Sequence, residues 1–209
     1  MNKNKWEYGG VYEKYDMNGE IHIGGGILKV HNIFDELPEF MMQADCMFID
    51  PPCSIGNINT FYTKAGRSDY QSEFQSFINR FFNCIRKIKP QKIFIEVFKS
   101  NKRAFENELA KIYGNISVYE STYYHKKQNK CWVLIAGDVE ADKIPEGMDE
   151  EDFIKWVCVN IQYECIGDLC MGRGLVGYHA FLNKKRFVGT ELNEKRLAVL
   201  VDKISIHKK

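Results

Sequence analysis

The sequence predicts an α/β fold in three layers, with helices on both sides of a mostly parallel sheet and an antiparallel hairpin at one edge. Three observations carry this. Short apolar runs of the buried-strand type recur at DCMFID (45–50), KIFIEVF (92–98), YECIGDLC (163–170) and RFVGTELN (186–193). Helical patterns lie between them, an alternation that argues for a parallel sheet. ISVYESTYY (116–124) and CWVLIAGDV (131–139) flank a basic loop, HKKQNK, as a hairpin.

Residues 1–20 are polar, spotted with aromatics and rich in Gly and Asn, and are expected to form a loosely ordered arm. ILKVHN (27–32) is a strand and NIFDELPEF (32–40) a short helical or turn segment. DCMFID must end at Pro51-Pro52, because proline has no N–H for a ladder and constrains the residue before it. SIGNINTFYTKAG follows Cys53.

SDYQSEFQSFINRFFNCIRKIK (68–89) carries Phe74, Phe77, Ile78, Phe81, Phe82 and Ile85 at helical steps, with Ser72 as N-cap and Pro90 past the end. After strand 92–98 a helix runs from Lys102 to Tyr113 and closes on Gly114, and the hairpin comes next. An acidic connector (140–150) leads to the helix EEDFIKWVCVNIQ and the strand 163–170. The turn MGRG, a helix Leu175–Leu182, strand 186–193 and the closing helix EKRLAVLVDKISI complete a single domain, 1–209, without internal repeats.

With 209 residues, 44% hydrophobic and 13% aromatic, the chain supplies one well-packed core and little room for a second. Lysine and arginine number 29 against 28 acids, so the net charge of +1 makes any nucleic-acid surface local. Seven cysteines form no C-x-x-C pair, which speaks against a zinc site or disulfide framework and for a reducing cytosol; no metal is expected. The N-terminus lacks the apolar core of a secretory signal and no run spans a bilayer, so a soluble, cytoplasmic protein with no membrane partner is expected.

Two constellations carry chemistry. The first is Asp50-Pro51-Pro52-Cys53, at the carboxyl end of a strand, where α/β sheets bind ligands. The prolines fix the backbone, so the Asp50 carboxylate and the Pro51 carbonyl are held together as two acceptors. That pair suits a group with two N–H donors, such as the exocyclic amine of adenine or cytosine. Accepting both hydrogens favours a tetrahedral nitrogen with its lone pair aimed at an electrophile, and stabilises the positive charge that develops. The same tetrapeptide also serves simply to end a strand in a turn.

The second is IGDLCMGRGLVGYHAFLNKKRFVGTELN. Asp168 ends one apolar run, Gly172 and Gly174 permit a tight turn into a helix, and Glu191 ends the next strand, where a carboxylate can accept from two ribose hydroxyls. The turn lacks the third glycine of the dinucleotide fingerprint and the lysine of a phosphate loop, which points to a nucleoside without bulky phosphates. Alone, a G-x-G is a structural turn and Glu191 a surface acid; joined to Asp168 at this separation they read as a nucleoside pocket.

The chain resembles the S-adenosylmethionine-dependent, amino-methylating DNA methyltransferases of the circularly permuted, beta-class-like group, in which the catalytic motif precedes the cofactor motif. The family's D-P-P-Y is matched by Asp50-Pro51-Pro52-Cys53, the loop that follows it by SIGNINTFYTKAG, its D-P-F-x-G-x-G-T-T by the nine residues from Asp168 to Val176, and its F-I-G-x-E by Phe187 to Glu191. HNIFDELP (31–38) stands where the family carries G-D-x-L-x-x-L-P, with Asn32 at the acidic position. The resemblance covers about Ile27 to Ile206 and agrees in motif order.

It implies a Rossmann-like methyltransferase sandwich, S-adenosylmethionine as cofactor and methyl transfer to an exocyclic amine, adenine N6 being favoured by the acidic first motif residue. Asp168 and the Gly172/Gly174 turn would hold the methionine end, Glu191 the ribose and Asn32 the adenine edge, with Cys170 and Asn193 also at the cofactor and Asp50 facing both cofactor and base. An extruded base must be stacked, and the family's fourth motif residue is an aromatic, here Cys53. Phe61-Tyr62 and Tyr123-Tyr124 are the available replacements. YYHKKQNKC resembles the family's aromatic-x-Lys segment, which places Tyr124 and Lys126 by the base. Lys64, Arg67, Lys126, Lys127 and Lys130 would supply local phosphate contacts.

The partner so implied is nucleic acid, DNA first, and the group's analogy adds a homodimer or a partner subunit. The short acidic stretch 139–148 leaves no sizeable target-recognition insertion. Cytosine N4, RNA or single-stranded substrate, and a catalytically silent subunit marked by Cys53, Asn32 and Leu169, stay open beside the adenine reading.

Overall fold

The structure is a computed structural model that describes residues 11–123, 126 and 128–207. One eight-stranded sheet forms its centre. The strands are β1 (Glu20–Ile23), β2 (Gly26–Val30), β3 (Cys46–Ile49), β4 (Lys92–Val97), β5 (Ser117–Thr122), β6 (Lys130–Gly137), β7 (Cys165–Asp168) and β8 (Arg186–Glu191). Their order is β1-β2-β8-β7-β3-β4-β6-β5. The five central strands, β2 to β4, run parallel, while β1 and the β5/β6 hairpin are antiparallel at the two edges.

The helices are α1 (Ile55–Lys64), α2 (Phe74–Ile88), α3 (Lys102–Tyr113), α4 (Glu150–Asn160), α5 (Leu175–Leu182) and α6 (Glu194–His207). One apolar layer joins the sheet to α1, α2 and α3 through Ile49, Ile95, Phe81, Phe82 and Phe105. The other joins it to α4, α5 and α6 through Phe48, Phe94, Phe153, Val157, Leu197 and Leu200. Strand neighbours alternate between the layers, as a strand's two-residue period requires. Phe48 and Phe94 stack at 6.0 Å, and Phe153 of α4 packs on both at the same distance, which pins α4 beneath the ends of β3 and β4.

Three local expectations need correction. The segment after Cys53 is not a loop but α1: Ser54 Oγ accepts from Asn57 N (3.2 Å), and Asn57 Oδ1 accepts from Cys53 N (3.2 Å). That reciprocal cap is a variant of the capping box. α2 begins at Phe74, after Glu73 rather than Ser72, and has no side-chain cap.

Within the expected loose arm, residues 11–20 form a 3-10 turn (Val11–Lys14) and part of β1. Tyr15 donates to Asp202 of α6 (2.9 Å) and Lys195 lies 4.7 Å over the Tyr12 ring. Residues 1–10 lie outside the described residues. Among the described residues no helix is long and apolar enough to cross a membrane.

Candidate active site

From β7 the chain passes through α5 to β8 on one side; from β3 it passes through α1 and α2 to β4 on the other. β3 and β7 are neighbours, so the chain direction switches between them, and the crevice outside their carboxyl ends is where such sheets bind ligands. A cleft of about 940 Å³ opens there, lined by Asp50, Pro51, Pro52, Cys53, Asp168, Cys170, Gly172 and Glu191 among others. That volume is in the range of small-molecule sites. The two constellations, more than a hundred residues apart in sequence, thus share one cavity.

Asp50 follows Ile49 at the end of β3. Its surface opens into the cleft, yet protein surrounds it, and Tyr123 Oη donates to its Oδ2 at 3.0 Å. Desolvation pushes its carboxyl up to about 6, opposed by the Tyr123 hydrogen bond and the Arg196 cation. It is therefore ionised in neutral solution, with a proton affinity close to the working range of a base. Pro51 is buried, and Cys53, half-buried, is tied through its N–H to Asn57.

On the opposite bank Asp168 is 4% exposed, and its Oδ1 accepts from Cys170 N at 2.8 Å. Desolvation raises its carboxyl well above the ordinary range, and Asp50 and Glu191 add to the shift while Arg196 opposes it. Burial likewise raises the Cys170 thiol. Glu191 Oε2 accepts from Gly172 N (2.6 Å) and Oε1 from Asn193 N (3.0 Å), which locks the strand-end acid to the glycine turn. Gly172 has φ +55°, and a Cβ there would come within 2.8 Å of the Arg196 guanidinium. The floor of the cleft therefore gathers Asp50, Asp168 and Glu191 with Arg196, and a cationic ligand placed there would favour the ionised form of Asp168.

The remaining expected residues fall in different places. Asn32 is buried in the cleft wall, and its Oδ1 accepts from Tyr62 Oη (2.8 Å) and Phe34 N (3.2 Å), so its amide N–H₂ is the group left for a ligand. Tyr62 is 3% exposed and packed in the core, so its ring is not presented for stacking. Phe61 lines the cleft, with the Arg196 guanidinium 4.9 Å over its ring. Lys64 lines it too, and its carbonyl accepts from Asn193 Nδ2 (3.1 Å).

Gly174 and Asn193 lie away from the cleft lining. A Cβ on Gly174 (φ +76°) would meet Leu200 at 2.5 Å, so that glycine serves the packing of α5 on α6. Arg67 is paired in a fork with Asp69 (2.9 and 2.7 Å), and Lys130 with Glu120 (2.6 Å). Both cations thus have protein partners where phosphate contacts were expected. Lys126 is exposed; Tyr124 and Lys127 lie outside the described residues.

Three lining residues, Phe98, Arg196 and Glu96, were not singled out by sequence reasoning, and a fourth, Tyr123, was named only as a stacking replacement. Tyr123 belongs to the aromatic pair it noted, but its contact with Asp50 depends on the hairpin pairing beside β4. Phe98, at the end of β4, sits with its ring 5.4 Å from that of Tyr123. Arg196 enters from α6, and Glu96 from β4. A lone acid inside the apolar run KIFIEVF was the available signal for the last.

No protein-family model matches the chain. No curated protein matches it in sequence. Its fold does match solved structures, and it is that of the Rossmann-like methyltransferases. M1.HpyAVI superposes with a TM-score of 0.58 at 12% identity, over 85% of this chain and 98% of that one, and its complex with S-adenosylmethionine with 0.56 at 10% identity, over 86% and 98%. The PvuII DNA methyltransferase, cytosine-N4-specific, gives 0.53 at 9% identity over 92% and 93% of the chains. TTHA0409 of Thermus thermophilus, complexed with S-adenosyl-L-methionine, gives 0.54 at 10% identity over 79% and 86%.

Proposed function

We propose that this protein transfers a methyl group from S-adenosylmethionine to the exocyclic amine of a DNA base, adenine N6 first. The observation that carries the reading is the placement of Asp50 and of the Asp168–Gly172–Glu191 cradle on adjacent strands across one switch-point cleft. A nucleoside carrying a cationic sulfonium fits that cradle. The carboxylate oxygens of Glu191 keep lone pairs for ribose hydroxyls beyond the two backbone N–H groups they hold. Asn32 N–H₂ serves an acceptor on the adenine edge. The sulfonium and ammonium charges of the donor would offset the desolvation of Asp168 and favour its ionised form.

When bound, S-adenosylmethionine supplies an electrophilic methyl group. Asp50 and the Pro51 carbonyl would accept hydrogen bonds from the two amine hydrogens, orient the nitrogen lone pair and stabilise its growing positive charge. With its affinity near 6, Asp50 can accept the surplus proton after transfer. Phe98 and Tyr123 are the aromatic rings beside Asp50 that can stack an extruded base where Cys53 cannot. Motif order, catalytic before cofactor, supports membership of the permuted group.

The PvuII neighbour is specific for cytosine N4, and a cytosine amine presents the same two hydrogens, so the assay reads both bases. Labelled S-adenosylmethionine is incubated with duplex DNA, single-stranded DNA and RNA, and the product nucleosides are separated. N6-methyladenine formed by the wild type and lost in Asp50→Ala is the expected result. N4-methylcytosine instead would move the target base. Cofactor binding with no transfer to any substrate would establish the silent-subunit reading marked by Cys53, and undiminished transfer by Asp50→Ala would sink the mechanism.

A further inference from the structure

Glu96 stands one residue beyond the Ile49–Ile95 pair on β4, as Asp50 does on β3, so the two carboxyls leave neighbouring parallel strands toward the same face. It is 2% exposed and lines the cleft. The Cys131 thiol hydrogen-bonds to the carboxyl, but Oε1 is buried with no hydrogen-bond partner. A buried polar atom left this way in a folded protein calls for an explanation, and a ligand atom supplied by the cleft is one.

We propose that Glu96 reads the target base, donating its carboxyl O–H to the ring nitrogen beside the exocyclic amine, N1 of adenine or N3 of cytosine, while Asp50 and the Pro51 carbonyl accept hydrogen bonds from the amine. The inference rests on the methyl-transfer reading above and adds a determinant of base choice. Burial first, then repulsion from Asp50 and Glu150, raises the Glu96 carboxyl well above its ordinary range, which keeps the proton it donates. Asp50 faces Tyr123 and Arg196, which hold its carboxyl down, whereas Glu96 faces Cys131, Asp50 and Glu150. Two adjacent acids are thereby pushed apart in proton affinity, and the pair divides into one acceptor and one donor.

That pattern matches the edge of adenine and of cytosine, where an amine sits next to a bare ring nitrogen. Guanine and thymine carry an N–H at the corresponding ring position, so the Glu96 O–H would meet a donor and be left unpaired. A site built around a hydrogen bond rejects a base that cannot make it more strongly than any fit of shape does.

The test compares methyl transfer to oligonucleotides carrying adenine or 1-deazaadenine, and cytosine or 3-deazacytosine, by the wild type, Glu96→Gln and Glu96→Leu. The deaza bases keep the amine and lack only the ring acceptor. The wild type should lose about tenfold in rate on the deaza form of its base, the scale of one buried hydrogen bond. Glu96→Gln still donates and should keep that ratio; Glu96→Leu should be slower on the natural base and bring the ratio close to one. A wild-type ratio near one, or a ratio in Glu96→Leu equal to the wild type's, overturns the role of Glu96 alone. If Glu96→Leu does not fold, the wild-type ratio decides, and absence of wild-type transfer to either natural base overturns the methyl-transfer reading together with this one.

Discussion

Asp50 should cost stability where it serves chemistry, and the substitution Asp50→Asn separates the two. Its carboxyl moves from an ordinary 3.8 to about 6 on folding. At about 1.4 kcal/mol per unit, the two-unit rise corresponds to a ceiling of about 3 kcal/mol. Because Asp50 opens to cleft water, screening reduces this to about 1 kcal/mol. The sign follows from proton counts. The folded state holds the Asp50 proton more tightly than the unfolded chain, so stability falls as pH rises from about 4 through about 6, and the penalty is complete above that. Asparagine removes the charge and keeps an oxygen for the Tyr123 hydroxyl.

Thermal unfolding of both proteins at about pH 4 and about pH 8 reads the difference. The Asn variant should match the wild type at the acid end and unfold about 2–4 °C higher at the alkaline end, the shift that about 1 kcal/mol gives in a domain of this size. Methyl transfer should be lost at both. A variant equally or less stable than the wild type at the alkaline end would refute the desolvated-carboxylate account of this site.

Two further outcomes follow from the same contacts. Tyr123→Phe removes the donor that holds the Asp50 carboxyl down, so the acid limb of the rate profile should move above about 6; an unmoved limb in stopped-time methyl-transfer assays would show that the hydroxyl does not act on Asp50. Gly172→Ala and Gly174→Ala should differ in kind. The first crowds Arg196 in the cleft and should weaken S-adenosylmethionine binding about tenfold by calorimetry, whereas the second drives a Cβ into Leu200 and should lower stability by about 2 kcal/mol in denaturant unfolding. Equal effects of the two on both measurements would contradict the division.

The central strands and most helices were legible because local signals and tertiary demand agree. The helices Lys102–Tyr113 and Leu175–Leu182 match residue for residue, each bounded by a glycine with positive φ, Gly114 behind one and Gly174 ahead of the other. α1 was missed because IGNINTFYTK offers no clean apolar stripe and contains a glycine; its signal was the Ser54…Asn57 cap. β1 was missed because EIHI is short and pairs with one neighbour only, although Gly24-Gly25 before GILKV was a two-residue hairpin turn in plain view. In the site, Asp50, Asp168 and Glu191 were legible because each ends an apolar run. Arg196 was not, since α6 delivers it from a segment with no site motif, and Tyr123, legible as an aromatic of the hairpin, gave no sign of its bond to Asp50, which depends on the hairpin pairing beside β4.

Cys53 sharpens what the family resemblance means here. A motif aromatic at that position would stack the base from the catalytic loop itself. In this chain the loop becomes a helix capped through the Cys53 N–H, its buried Tyr62 is spent on holding Asn32, and Phe61 lies under Arg196. The rings beside Asp50 instead come from the ends of β4 and β5, where Phe98 and Tyr123 meet at 5.4 Å, and Tyr123 also grips the carboxylate. In the proposed reaction one tyrosine of the hairpin would both stack the base and tune Asp50. The small thiol at position 53 would leave the stacking of an extruded base to that ring pair, which lines the same cleft.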